Sequence, residues 1–228
     1  MKQRVAVITG ASSGVGLEIA THLHYVGWKV IGLARSFPKT KLFDSYSLDV
    51  RNAKDVEGMF NWIWESQLKL DELSINLLVN NAAVYKRGTF SEMSISDIDD
   101  IIDTNLKGTL YCTRFALPMI KRPGGRIINI GSVAGEQGIV LEAAYCASKF
   151  GVFGMAEALA EELEGINVTT IAPGGIDTVL WNKDNPYLGD KTKLLHTCDI
   201  AKMVSTIASM PDNVVVKKVV LHPSDEKH

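Results

Sequence analysis

Cysteine is scarce in this 228-residue chain: Cys112, Cys146 and Cys198 are an odd number, with no Cys-x-x-Cys spacing. That argues against a disulfide framework and a structural zinc site, and points to a reducing, cytoplasmic location. The five histidines are scattered, and His22 with His24 stands on an expected helix without ligand company, so no metal site is expected. Charge of one sign is lacking too. Twenty-four Lys and Arg against 26 Asp and Glu leave a formal net charge of −2, which gives neither nucleic acid nor an anionic membrane a reason to bind. No apolar run approaches the ~18 residues that span a bilayer. Met1 is followed almost at once by an apolar strand pattern, so no cleavable signal peptide is expected. Linkers, repeats and low-complexity segments are absent, and residues 1–228 read as a single domain.

What the chain does have is a steady alternation of strand and helix patterns at 46% hydrophobic content. Short apolar runs at Arg4–Thr9, Trp28–Ala34, Ser45–Leu48, Ile75–Val79, Ile127–Ile130, Asn167–Ile171 and Val214–Leu221 read as strands. Between them, helical spacing covers Val15–Val26, Asn52–Gln67, 97–103, Asn105–Lys121, Ala144–Glu164 and Cys198–Met210, with Ser94 or Ser96 as a cap. Such alternation specifies a doubly wound α/β fold. Seven parallel strands are expected in the order 3-2-1-4-5-6-7, helices on both faces, with a ligand crevice where strands one and four diverge.

The first strand runs into Thr9-Gly-x-x-x-Gly-x-Gly16, directly before a helix. Gly10, Gly14 and Gly16 let the backbone turn tightly against a pyrophosphate, and the helix N-terminus supplies unpaired N–H groups. A dinucleotide site of the Rossmann type is the reading of this loop. The second strand ends Leu33-Ala34-Arg35-Ser36, with Lys39 and Lys41 close behind, where an acidic residue would read a free ribose 2′-hydroxyl. A missing carboxylate and a guanidinium favour a 2′-phosphate, hence NADP(H) over NAD(H). The alternative for Arg35 is a solvated side chain.

The fifth strand stops at Gly131, so Ser132 is delivered at a strand's carboxyl end, where open α/β sheets place ligands. Thirteen residues later Tyr145 and Lys149 stand one helical turn apart on a shared face. A phenol, an ammonium and a hydroxyl form a proton-transfer set. An ammonium at roughly 5 Å with an effective dielectric near 20 supplies about 3 kcal/mol, or about two units of phenol pKa.

Taken together with Asn80-Asn-Ala-Ala83, Asn105 and Pro173-Gly174, these motifs resemble the short-chain dehydrogenase/reductase family over residues 4 to 221. The resemblance implies a catalytic tetrad of Asn105, Ser132, Tyr145 and Lys149, with Asn105 linking Lys149 to solvent through water. It also implies cofactor contacts from Gly10, Ser12, Ser13, Gly14, Val15, Gly16, Arg35 and Ser36, then Asp49 and Val50 at the adenine. Asn81, Ala82, Ala83, Tyr145, Lys149, Pro173, Gly174 and Ile176 complete them, with Thr178 at the nicotinamide end. Two features depart from the family pattern. The ending Val219-Val220-Leu221-His222-Pro223 lacks Asp-Gly-Gly, and the expected lid over 178–196 is short.

The activity implied is NADP(H)-dependent interconversion of a carbonyl and an alcohol, with Tyr145 as general acid/base on a small substrate. A catalytically silent NADP-binding regulator of the same fold is the alternative, and isomerisation through a transient ketone a third. Leu141, Glu142, Gly175, Leu180, Trp181, Tyr187 and Leu188 are the residues expected around the substrate. Apolar character on several faces of helices 105–121 and 144–164 suggests a homo-oligomer, dimer or tetramer.

Overall fold

Successive side chains along a strand point to opposite faces of a sheet, and that alternation divides this molecule into two cores. The computed structural model describes residues 3–38, 42–68, 73–178 and 190–224. Its strands are β1 (Val5–Thr9), β2 (Lys29–Ala34), β3 (Asp44–Ser47), β4 (Ile75–Asn80), β5 (Gly125–Ile130), β6 (Ile166–Pro173) and β7 (Lys218–Leu221). They form one parallel sheet in the order β3-β2-β1-β4-β5-β6-β7, the order expected from the sequence. Helices α1 (Gly14–Tyr25), α2 (Ala53–Ile63), α3 (Ile95–Ile102), α4 (Gly108–Ala116), α5 (Ala143–Glu162) and α6 (Thr197–Ala208) connect them.

From β1, Val5 and Val7 face a core closed by Val56, Phe60 and Ile63 of α2, Cys112 and Ala116 of α4, and Ala156 of α5. Ala6 and Ile8 face the other way, onto Ile19, Ala20 and Leu23 of α1 and Ile200, Val204 and Ile207 of α6. Both faces of the sheet are covered over its inner strands, which is why β1, β2 and β4 read as largely apolar runs rather than alternating ones, while the edge strands β3 and β7 stay partly exposed. Each fully buried Leu, Ile or Phe contributes about 1.5–3 kcal/mol relative to exposure.

Local chemistry fixes the helix starts. Asn52 accepts hydrogen bonds from the Lys54 and Asp55 N–H groups at α2, and Ser94 accepts from the Asp97 N–H at α3. The pattern expected as one helix over 105–121 is instead a widened π-type turn at Asp103–Lys107, then α4, then a tight turn at Leu117–Met119. A π-type turn also follows α2, at Trp64–Leu68. The last strand is shorter than its apolar run suggested. The Val214 carbonyl, at the start of that run, accepts from the buried Arg126 guanidinium, which also donates to the Met210 and Pro211 carbonyls, and pairing with β6 begins at Lys218. Among the described residues, no helix is long and apolar enough to cross a membrane, and no group of three His, Cys, Asp or Glu could hold a metal ion.

Candidate active site

A cavity of about 530 Å³ opens along the carboxyl ends of the strands, where β1 and β4 diverge. Its floor comes from the turn after β1. Gly10 has φ +67°, and a Cβ there would stand 2.7 Å from Asn81 Nδ2, so only glycine fits. Asn81 Nδ2 donates to the Thr9 and Gly10 carbonyls, and the Thr9 hydroxyl accepts from the Asn81 and Ala82 N–H groups. These bonds lock the ends of β1 and β4 together.

Ser12, Ser13 and Val15 line the cavity beside Gly10, and Ser13 caps α1 without a side-chain hydrogen bond to its first turn. Gly14, at φ +52°, faces Thr178, whose Cγ2 would stand 3.8 Å from a Cβ built there. A glycine-bearing turn with two serine side chains, leading into a helix N-terminus, is a cradle that fits a pyrophosphate. Gly16 lies behind the wall rather than in it. A Cβ there would come within 2.3 Å of the Gly10 carbonyl oxygen and of Asn81 Nδ2, so this glycine lets α1 close on the turn.

At one end of the cavity stand Arg35 and Ser36, with Asp49 and Val50 beside them. Arg35 is exposed, and Arg51 grips Asp49 through Nε and the Nη2–Oδ2 contact of 2.7 Å. That hydrogen bonding holds the Asp49 carboxyl below the usual range. Ala82, Ala83, Pro173, Gly174 and Ile176 line the middle.

At the other end, Ser132 leaves β5 and its hydroxyl accepts from the Ala134 N–H at 3.1 Å. Tyr145 sits half-buried in the first turn of α5, and Lys149 lies one turn on. The Lys149 ammonium is 4% exposed, donates to the Ile130 carbonyl at 2.9 Å and stands 5.6 Å from the Tyr145 ring centre. Burial raises the Tyr145 pKa above its ordinary value, and a hydrogen bond with Ser132 opposes this. The same burial pulls Lys149 down to about 8. Desolvation disfavours both charged forms, and the lowering of the phenol by Lys149 expected from the sequence is not among the effects that act on Tyr145, where Glu142 adds to the rise. The phenol is held as a proton donor. Phenol, hydroxyl and ammonium on one wall can polarise a carbonyl and deliver a proton to its oxygen.

Asn105 does not line the cavity. It is 1% exposed in the π-type turn, where Oδ1 accepts from the Val84 N–H at 2.8 Å and Nδ2 donates to the Val84 carbonyl and the Ser148 hydroxyl. It therefore fixes the chain after β4 against α5, one layer behind the reactive wall. Of the expected substrate residues, Glu142 and Gly175 line the cavity, whereas Leu141 is turned outward at φ +67°. Leu180, Trp181, Tyr187 and Leu188, most of the expected lid, and Lys39 and Lys41 lie outside the described residues. Tyr85, Arg87, Val133, Ile139 and Val140 line the substrate end without having been foreseen. Only Tyr85 carried a signal, an aromatic just past the Asn-Asn-Ala-Ala strand end.

The family model described as short chain dehydrogenase matches residues 4–188. An uncharacterised oxidoreductase of Staphylococcus aureus is 32% identical over 235 residues, covering 98% of either chain. The 3-oxoacyl-[acyl-carrier-protein] reductase FabG of Rickettsia prowazekii is 37% identical over 190 residues, 80% of this chain and 76% of its own. Among solved structures, the closed form of serine dehydrogenase complexed with NADP+ superposes with a TM-score of 0.85 at 28% identity, over 98% of this chain and 96% of that one. With the parallel sheet, the glycine turn and the Ser, Tyr and Lys wall in place, these matches make the chain a member of the short-chain dehydrogenase/reductase family, an oxidoreductase of CH–OH groups.

Proposed function

We propose that the protein interconverts a small carbonyl compound and its alcohol with NADP(H), and that Tyr145 is the general acid and base. One observation carries this reading: Ser132, Tyr145 and Lys149 converge at one end of a cavity whose floor is the glycine turn and whose far end holds Arg35. NADP+ on the serine dehydrogenase relative is consistent with it. When bound, the nicotinamide supplies or accepts the hydride. The roles of the chain's own residues follow from their chemistry. The Ser132 hydroxyl and the Tyr145 phenol donate to the substrate oxygen, so charge developing there meets preset donors. Tyr145 gives up its proton as that oxygen becomes an alcohol, and in the reverse direction takes it back. Lys149 favours the phenolate then formed, since the ammonium stays on the same helix face. Asn105, through Val84 and Ser148, holds the chain after β4 against α5, the two segments that frame this wall. At the other end the Arg35 guanidinium reads the 2′-phosphate, with Ser36 as a second donor.

The same reading takes residues 1–228 as one cytoplasmic unit carrying both nucleotide and substrate sites. It assembles as a homo-oligomer through the outward faces of α4 and α5, where Leu110 and Phe150 are exposed. The test is NADPH oxidation followed by absorbance against aldehydes, ketones, diketones and hydroxy acids, with Tyr145→Phe as the control. Turnover lost in the variant while NADPH still binds supports the mechanism. Binding without turnover of any compound by the unmodified protein supports the silent regulator instead.

A further inference from the structure

Helix α5 begins with a side chain in an unusual place. Glu142 occupies the residue before the helix, where a carboxylate is ordinarily favoured by the exposed N–H groups of the first turn. It makes no side-chain hydrogen bond there. Instead the carboxyl turns into the cavity, 7% exposed, and Oε1 accepts from the Tyr85 hydroxyl at 2.6 Å. Burying a carboxylate costs free energy, and here burial raises its pKa against the opposing effects of Tyr85 and Arg87.

The backbone is arranged to hold it there. Leu141, immediately before, has φ +67°, a region that a leucine rarely adopts and that persists only where the surroundings enforce it. Its carbonyl accepts from the Gly88 N–H at 2.9 Å, tying the loop that carries Glu142 to the loop that carries Tyr85. Asn105 clamps the backbone of Val84 next to Tyr85. The Tyr85 ring in turn packs edge-on to the Tyr145 ring, centres 4.9 Å apart and planes at 88°. A strained residue, two tied loops and a buried pair thus place a carboxyl beside the reactive phenol. The remaining wall at this end includes Val133, Ile139, Val140 and Ile176, which offer no side-chain acceptor. An ionised carboxylate only accepts, and with Tyr85 on Oε1 it still has lone pairs for another donor.

We infer that Glu142, positioned by Tyr85, reads a second hydrogen-bond donor on the substrate, so that the preferred substrates are short alcohols or ketones bearing a neighbouring hydroxyl or ammonium. This rests on the oxidoreductase reading above. A site with a buried acceptor rejects an analogue that lacks the donor, because the carboxylate lone pairs that Tyr85 does not take would be left dry.

The experiment measures kcat/KM with NADP+ for 2-butanol, 2,3-butanediol and 3-amino-2-butanol. It uses the unmodified protein and Glu142→Leu, Glu142→Gln and Tyr85→Phe, each checked for fold by thermal melting and NADPH titration. The unmodified protein is expected to favour the diol or the amino alcohol over 2-butanol by at least about 100-fold. Glu142→Leu brings that ratio to within about threefold of one through loss on the donor-bearing compound. Tyr85→Phe lowers the ratio less, which keeps the test informative should Glu142→Leu fail to fold. Glu142→Gln separates the two donors: the amide retains the diol and loses the amino alcohol if the ammonium is what is read. Equal kcat/KM for all three compounds, or a proportional loss on all three in Glu142→Leu, overturns the inference and leaves the oxidoreductase reading standing. No turnover of any compound by an unmodified protein that binds NADPH overturns both.

Discussion

Lys149→Met should make the ligand-free protein more stable while destroying its activity. The ammonium is buried, and burial pulls its pKa from 10.5 to about 8. A folded-state pKa below the unfolded one means that the unfolded chain binds the proton more tightly, so the charge costs stability. At about 1.4 kcal/mol per unit, the gap amounts to about 3 kcal/mol. Methionine fills similar space without charge, but the Ile130 carbonyl loses the donor that Lys149 provides at 2.9 Å. That loss returns about 1 kcal/mol, leaving a net gain of about 2 kcal/mol, or a Tm rise of about 4–8 °C for a chain of this size. The sign of the pH dependence follows. The penalty is fully present below pH 8, where both states are protonated, and fades as pH rises toward 10.5. The unmodified protein should therefore gain on the variant between pH 8 and 10.5, with a constant gap below that window. Urea midpoints of cofactor-stripped protein at pH 6 to 9.5 measure this directly. A variant less stable than the parent at pH 7, with parallel curves to pH 9.5, would show that Lys149 is a structural cation and refute the reasoning.

Tyr145→Phe keeps the ring edge against Tyr85 and removes only the hydroxyl, so turnover should fall by at least ~10²-fold with NADPH affinity retained, as stopped-flow and calorimetry can check. Arg35→Asp should shrink or reverse an NADPH preference of about 1.5–3 kcal/mol, roughly ten- to hundredfold, and equal affinities in the parent would remove the basis for reading a 2′-phosphate. Gly16→Ala already places a methyl 2.3 Å from the Gly10 carbonyl, so both the melting temperature and NADPH affinity should drop together; a stable variant with normal affinity would mean that α1 can retreat from the turn.

The order of seven strands was legible from the alternation of strand and helix and the rules that govern parallel crossovers, and the glycine turn and the placement of Ser132, Tyr145 and Lys149 from local spacing. Two residues one turn apart on a helix share a face wherever that helix packs, and a residue just past a buried strand must emerge at the sheet's carboxyl edge. The doubly covered sheet followed from apolar runs that left no solvent face, as Val5 to Thr9 in β1 illustrate. The tertiary structure alone decided the rest. Asn105 bonds to Val84 and Ser148 behind the wall, Arg126 gathers the carbonyls of Met210, Pro211 and Val214, and Glu142 leaves the helix start for Tyr85, 57 residues away along the chain. Nothing in spacing or composition encodes such pairs, because they depend on how segments far apart along the chain meet. Burial decided the charge states in the same way. Lys149 and Tyr145 are one turn apart in any sequence reading, yet it is their burial in the folded chain that raises the phenol and lowers the ammonium.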